Sequence, residues 1–297
     1  MRSASPCLVA AGLALACGNS TGTPPIPALP GQIAFVSDRG RLGQFDIFLM
    51  NADGTGLTNL TDALSLEDWP AWSADGSKLA FTSDRAFSPP DTLDIFVMNA
   101  DGSNVMRVTS DTTQESEPTW SPDGTKLALV SSRDGPNHIF LWDAVTMKDT
   151  THLTSGFQSD ALPAWSPDGN KIAFTTTRDG DYEIYVMNAN GSSPVDLTND
   201  HTALDAAPAW SPDGTKIAFM SDRNGGDVQI FVMNADGSGV VQITRGSLQA
   251  EYPSWSPDGA YIAYDAGEHI WVSKADGSQA WQITSGQFVD FDPRWRP

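Results

Sequence analysis

The sequence predicts an all-β fold, a six-bladed β-propeller of four-stranded antiparallel blades. Three observations carry that expectation. A phrase close to Pro-x-Trp-Ser-Pro-Asp-Gly-x-Lys-Ile-Ala-Phe recurs around Trp72, Trp120, Trp165, Trp210 and Trp255, and a sixth tryptophan, Trp295, follows. The tryptophans are spaced 48, 45, 45, 45 and 40 residues apart, a period that belongs to propeller blades or to helical arrays. Each repeat holds four short β-type runs and no sustained helical periodicity, which selects the propeller.

The Trp210 repeat shows the pattern. Its β-type runs cover 207–210, 216–220, 229–234 and 240–244. Ser211, Pro212, Asp213 and Gly214 join the first two, with proline fixing φ for a type I turn and glycine closing it. Asn234, Ala235, Asp236 and Gly237 join the last two. Runs of the Ile-Ala-Phe type begin at Ile33, Leu79, Leu127, Ile172, Ile217 and Ile262, which makes six. The first lacks a tryptophan strand ahead of it, and Trp295 has nothing after it. The C-terminal strand, expected over 292–296, therefore completes the first blade and closes the ring without an open sheet edge.

Ahead of the repeats, Arg2, the apolar run 8–16 and the small residues Ala14 and Ala16 predict a signal peptide over 1–16. The run is too short to span a bilayer. Cys17 directly after it matches the position acylated in bacterial lipoproteins, so a lipid at Cys17 is the expected and sole attachment to a membrane. Plain cleavage before Cys17 is the alternative. Residues 17–31, rich in Gly, Ser, Thr and Pro, read as a tether, and 32–297 as the propeller. Cys7 is the other cysteine, so no disulfide framework is available to the repeats. The expected location is the periplasm or cell envelope of a bacterium.

Lys and Arg number 17 against 37 Asp and Glu, a formal charge of -20. Such a chain repels nucleic acid and anionic lipid head groups, and favours basic or neutral proteins, peptides and divalent metals. An excess spread along the chain also serves solubility.

The tryptophan phrase, followed by Ser-Asp-Arg and Ile-Phe-Val-Met-Asn-Ala-Asp-Gly, resembles the WD40-like (PD40) repeats of the TolB propeller, from Ile33 to Trp295. It is less like true WD40, whose Gly-His partner is missing around the single Trp-Asp pair, Trp142 and Asp143. TolB carries an α/β domain ahead of its propeller; here the propeller alone is expected. The resemblance implies a binding scaffold for protein or peptide, with an acidic channel that receives segments of its partners.

Two pairs of connections leave each blade on opposite faces. The 1–2 and 3–4 turns repeat and read as structural. The 2–3 and 4–1 connections vary, so their face is the expected binding face. An acid stands five residues before the tryptophan in five blades: Glu67, Glu115, Asp160, Asp205 and Asp290. These acids are expected just ahead of the innermost strands, at the channel mouth. One reading is a carboxylate ring for calcium or a basic peptide. The other is a salt bridge within each blade, to Arg85, Arg133, Arg178, Arg223 and Arg39. The Trp255 repeat favours pairing, because it has lost both members, with Ala250 and Glu268 in their places. That leaves Glu251, Asp265 and Glu268 beside His269 as the predicted partner-binding group.

No catalytic apparatus is predicted. There is no Gly-x-Ser-x-Gly elbow, and the Ser-Pro-Asp-Gly turns lack the extra residue of sialidase Asp-boxes. His138, His201 and His269 fall in different blades without metal-ligand spacing. The rival reading is a metal-dependent hydrolase or lyase, or a small-ligand binder, using these histidines at the channel mouth. No cofactor is expected beyond calcium at the acidic mouth. The tryptophan series reads as core between blades.

Overall fold

The computed structural model describes residues 25–86, 92–110, 112–146 and 148–297. The expected signal peptide, Cys17 and the first part of the tether lie outside the described residues. The chain runs first through β1 (Gln32–Arg41), β2 (Gln44–Asn51) and β3 (Thr58–Asn59). The second blade is β4 (Glu67–Trp72), β5 (Lys78–Ser83), β6 (Asp94–Asn99) and β7 (Met106–Arg107). The third is β8 (Glu115–Trp120), β9 (Lys126–Ser131), β10 (His138–Asp143) and β11 (Lys148–His152). The fourth is β12 (Asp160–Trp165), β13 (Lys171–Thr176), β14 (Glu183–Asn188) and β15 (Val195–Asp196). The fifth is β16 (Asp205–Trp210), β17 (Lys216–Ser221), β18 (Gln229–Asn234) and β19 (Val241–Gln242). The sixth is β20 (Ala250–Trp255), β21 (Tyr261–Ala266), β22 (His269–Lys274) and β23 (Ala280–Gln282). Last comes β24 (Asp290–Trp295), which joins β1 and completes the first blade in the order β24-β1-β2-β3. Ile33 pairs with Trp295 and Ser37 with Asp290, so the closing strand starts two residues earlier than the sequence suggests.

Among the described residues the buried apolar side chains fall into six clusters, each shared by two neighbouring blades. Ala173, Ile184 and Val186 of the fourth blade, for example, pack against Ile217, Phe219, Phe231 and Met233 of the fifth. The central strands are apolar on both faces because each face meets a different neighbour. The tryptophans tie the interfaces at their inner edge. Trp72, Trp210 and Trp255 each donate Nε1–H to a backbone carbonyl of the preceding blade, at 3.0–3.2 Å.

The turns seal themselves. In the third blade Ser121 Oγ donates to Asp123 (2.6 Å) and accepts from Lys126 N (3.0 Å), while Asp123 also accepts from Thr125 N (3.0 Å). The Asp-Gly turns on the outer side set the blade spacing. Gly237 has φ +85°, and a Cβ there would lie 2.6 Å from the Leu197 carbonyl oxygen of the preceding blade. Gly102 and Gly191 meet Leu60 and Leu153 at the same 2.6 Å.

Each innermost strand carries a bulge. Its register shifts between the second and fifth residues, as between Ala206 and Ala209. The third residue takes positive φ in every blade: Trp69, Glu117, Leu162, Ala207, Tyr252 and Asp292 lie between 49° and 54°. Proline follows each of them, and proline, lacking an N–H, sits in sheets at edges and bulges. The innermost strand is the edge that faces the channel.

Gly237→Ala is expected to destabilise the fold more than Gly124→Ala, as read by urea unfolding. Both lie at positive φ, worth about 1–2 kcal/mol against a side chain, but a Cβ at Gly124 meets nothing within 4 Å.

Candidate functional site

The five acids ahead of the tryptophans are the first residues of their inner strands, lying within them. Each carboxylate turns into its own blade, is fully or almost fully buried, and meets an arginine. That arginine stands two residues beyond the hydroxyl residue that ends the central strand's pairing with the acid, in the 2–3 loop of four blades and near the end of β1 in the first. Arg178 reaches Asp160 at 3.1 Å and Arg223 reaches Asp205 at 2.8 Å; Arg85, Arg133 and Arg39 hold Glu67, Glu115 and Asp290 in the same way. A hydroxyl at the end of the second strand supports the pair. Ser83 donates to Glu67 (3.0 Å) and accepts from Arg85 Nε (3.2 Å). The guanidinium then lies over the blade's aromatic rings, Arg85 at 5.0 and 5.3 Å from the centroids of Phe81 and Phe96. The structure therefore differs from an open carboxylate ring at the channel mouth: each of the five acids is paired with an arginine of its own blade.

The sixth blade lacks the whole unit. Ala250, Ala266 and a two-residue hairpin, Gly267 and Glu268, replace the acid, the hydroxyl and the arginine-bearing loop. Both hairpin residues have positive φ, 58° and 66°, as a type I′ turn requires. The predicted partner-binding group divides here. Glu251 and Asp265 are cross-strand partners near the channel. Glu268 is exposed at the hairpin tip, and His269 beside it is half-buried with no hydrogen-bond partner for Nδ1 among the described residues.

Glu251 and Asp265 join a larger acidic group that the sequence reading missed. Asp68, Glu117 and Asp292 occupy the second or third position of inner strands, at and beside the bulges. Asp292 N donates to Asp265 Oδ1 at 3.2 Å, and Glu117 Oε2 accepts from Leu162 N at 2.5 Å. Arg294 pairs with Asp292 at 2.6 Å and also acts on Asp68 and Glu117. Burial, and then the charge of Asp292, push Asp68 up to about 7. Burial raises Glu117 to about 7, and Asp292 to about 6 against the opposing pull of Arg294. Burial and the neighbouring Glu251 hold Asp265 well above the usual carboxylate range. Trp69 and Tyr252, from blades that are not neighbours, meet edge to face across the channel with centroids 5.3 Å apart.

A funnel of about 590 Å³ opens on the face of the 1–2 turns, the face whose turns read as structural. The six tryptophans and the turn prolines form its wall. Trp69, Glu117, Leu162 and Arg294 lie at its inner end. Of the three histidines weighed as metal ligands, His138 is buried with Nδ1 3.5 Å from Asp160 Oδ2. It lies in a different blade from both His201 and His269.

Arg85→Ala strands a buried carboxylate and is expected to cost about 3–5 kcal/mol of stability. Glu67→Ala/Arg85→Ala removes both charges and should recover most of that loss in the same denaturation experiment. The channel acids act on stability in the opposite sense from ordinary salt-bridged carboxylates. Their folded values of about 6 to 7 lie above the unfolded ones, so the folded chain holds extra protons from about pH 4 to 7. Stability from this source is present at low pH and is lost as pH rises through 6 to 7. Thermal unfolding is expected about 5 °C lower at pH 8 than at pH 5.5, and Asp68→Asn/Glu117→Gln/Asp292→Asn should remove most of the difference.

The family model described as the TolB beta propeller domain (PD40) matches residues 19–162 and 146–297. Among solved structures, TolB from Acinetobacter baumannii superposes with a TM-score of 0.78 at 24% identity, covering 93% of this chain and 69% of that one. A putative TolB from Agrobacterium tumefaciens gives 0.69 at 20% identity, covering 90% and 98%. The hydrazine synthase of Kuenenia stuttgartiensis gives 0.72 at 16% identity, over 89% of this chain and 46% of that one. Comparison with curated proteins found no match. These structural likenesses share the fold. With both halves of its ring matched by one family, the chain belongs to the TolB beta propeller domain family.

Proposed function

We propose that the chain is an exported, lipid-anchored scaffold of the bacterial envelope that binds a protein or peptide of basic or neutral character. One observation carries the reading: Asp68, Glu117, Glu251, Asp265 and Asp292 converge on the channel, and Arg294 acts on Asp68, Glu117 and Asp292 of that group. Carboxylates raised by burial bind a cation with a gain that paired carboxylates do not have, because the incoming charge restores the stabilisation that water supplied. The hairpin of Glu268 and His269 continues this group to the rim on the 2–3/4–1 face. A segment lying on the sixth blade thus reaches from the rim toward the channel. Membership of the TolB propeller family supports a binding role.

A pull-down from native envelope extract with residues 18–297 is expected to retain a protein that Glu251→Gln/Asp265→Asn/Glu268→Gln loses, with the fold intact and thermal unfolding not lowered. Equal retention by both would remove the sixth blade from the site, and no retained protein would overturn the scaffold reading. Cys17→Ala is expected to move the chain from the membrane to the soluble fraction.

A further inference from the structure

We propose that Asp181, Glu183 and His201 form a binding site for a divalent transition ion of the zinc type, on the rim of the fourth blade. The site is separate from the channel, and the proposal does not depend on the scaffold reading. Glu183 opens β14 and pairs with the last residue of β13, and the equivalent register position is held in the other blades by Asp46, Asp94, His138, Gln229 and His269. The two other acids in this set are answered locally. Asp46 accepts from Thr61, Ala63 N and Asn59 at 3.0–3.1 Å, and Asp94 is paired with Arg107 at 2.7 Å. In the fourth blade the residue in register with Arg107 is Asp196. A carboxylate has replaced the cation.

The consequence is an orphaned charge. The Glu183 side chain is fully buried; Oε2 accepts from Thr198 Oγ1, but Oε1 has no hydrogen-bond partner among the described residues. Oδ1 of Asp181 is likewise buried without a partner. Both oxygens point at His201 Nδ1, from 3.6 Å for Asp181 and 3.7 Å for Glu183. Ligating atoms of all three residues lie within 4.8 Å of one another. A buried carboxylate oxygen left unmatched is destabilising, so two such oxygens facing one imidazole nitrogen call for a cation between them. Burial and the charges of Asp196, Asp205 and Asp181 raise Glu183, which agrees with an unneutralised group.

The donor set selects the ion. Tetrahedral zinc, with bonds of about 2.0–2.2 Å, holds its ligand atoms about 3.4 Å apart, close to the 3.6 and 3.7 Å that separate His201 Nδ1 from the two carboxylate oxygens. An imidazole nitrogen beside two carboxylates suits a first-row transition ion over calcium or magnesium, which take all-oxygen sets. Thr198 Oγ1 orients the Glu183 carboxylate from behind. Asp200 accepts from Thr202 N at 3.3 Å and Oγ1 at 2.8 Å, which holds the loop that presents His201. Three protein ligands leave one position to water.

The test is calorimetric titration of the chelator-stripped full chain with zinc alone, followed by thermal unfolding. One ion per chain and a raised melting temperature are expected. His201→Ala should weaken zinc binding at least tenfold while leaving the metal-free melting temperature unchanged, and Asp181→Asn should weaken it as much without lowering that temperature. Glu183→Gln is expected to abolish binding and also to raise the metal-free melting temperature, since it removes the orphaned charge. Absence of binding, or equal binding by His201→Ala, would overturn the site. Calcium bound as tightly as zinc would overturn the assignment of the ion.

Discussion

The apolar interfaces between adjacent blades are the constraint on which everything else rests, because each blade needs a neighbour on both faces. A central strand such as Ile217 to Met220 is apolar throughout, and half of its surface is buried only by the next blade. An open array would leave two such faces in water. Pairing β24 with β1 removes both ends at once and replaces the missing inner strand of the first blade with the orphaned last one. The contact of each Asp-Gly turn with the preceding blade's carbonyl then holds adjacent blades at one separation. The arginine–carboxylate units lie at the opposite end of the blades, inside them, so they organise loops without crossing an interface.

Charge is distributed accordingly. Many of the acids in this strongly negative chain are satisfied within a few residues of themselves. Asp75, Asp123, Asp168 and Asp213 are held low by the serine, threonine or asparagine groups of their own turns. Among the described residues, uncompensated carboxylates concentrate in two places, the channel beside the sixth blade and the rim of the fourth. At each of them one repeat departs from the others, although Asp68, Glu117 and Asp292 of the channel group come from the first three blades. In the sixth blade a loop has shrunk to a two-residue hairpin, and in the fourth an aspartate stands in register with the second blade's arginine.

The blade count and ring closure were legible because they rest on local chemistry: a turn such as Ser211 to Gly214 forms from its own residues wherever it occurs. The arginine–acid pairing was legible for a different reason, since Ala250 and Glu268 depart together in one repeat. The channel acids were hidden by the bulge. Simple alternation along β4 or β8 misplaces Asp68 and Glu117, because an extra residue flips every side chain beyond it. The signal was present in Pro70, Pro118, Pro163, Pro208, Pro253 and Pro293, which no regular ladder accommodates. The Asp181, Glu183 and His201 group needs the return of the 4–1 loop beside the 2–3 loop. Here the backbone contact from Asp205 N to the Tyr182 carbonyl makes that return, which no local pattern announces.

The strained third residue of each inner strand has a consequence for how such a ring diversifies. Tryptophan, glutamate, leucine, alanine, tyrosine and aspartate all occupy it with nearly the same φ. Its conformational penalty is set by the backbone and is shared by every residue with a Cβ. A substitution there changes what the bore displays while leaving the blade's own folding problem as it was. The six positions act as an alphabet inscribed on a uniform cylinder, so relatives with one architecture can drift toward different specificities one letter at a time.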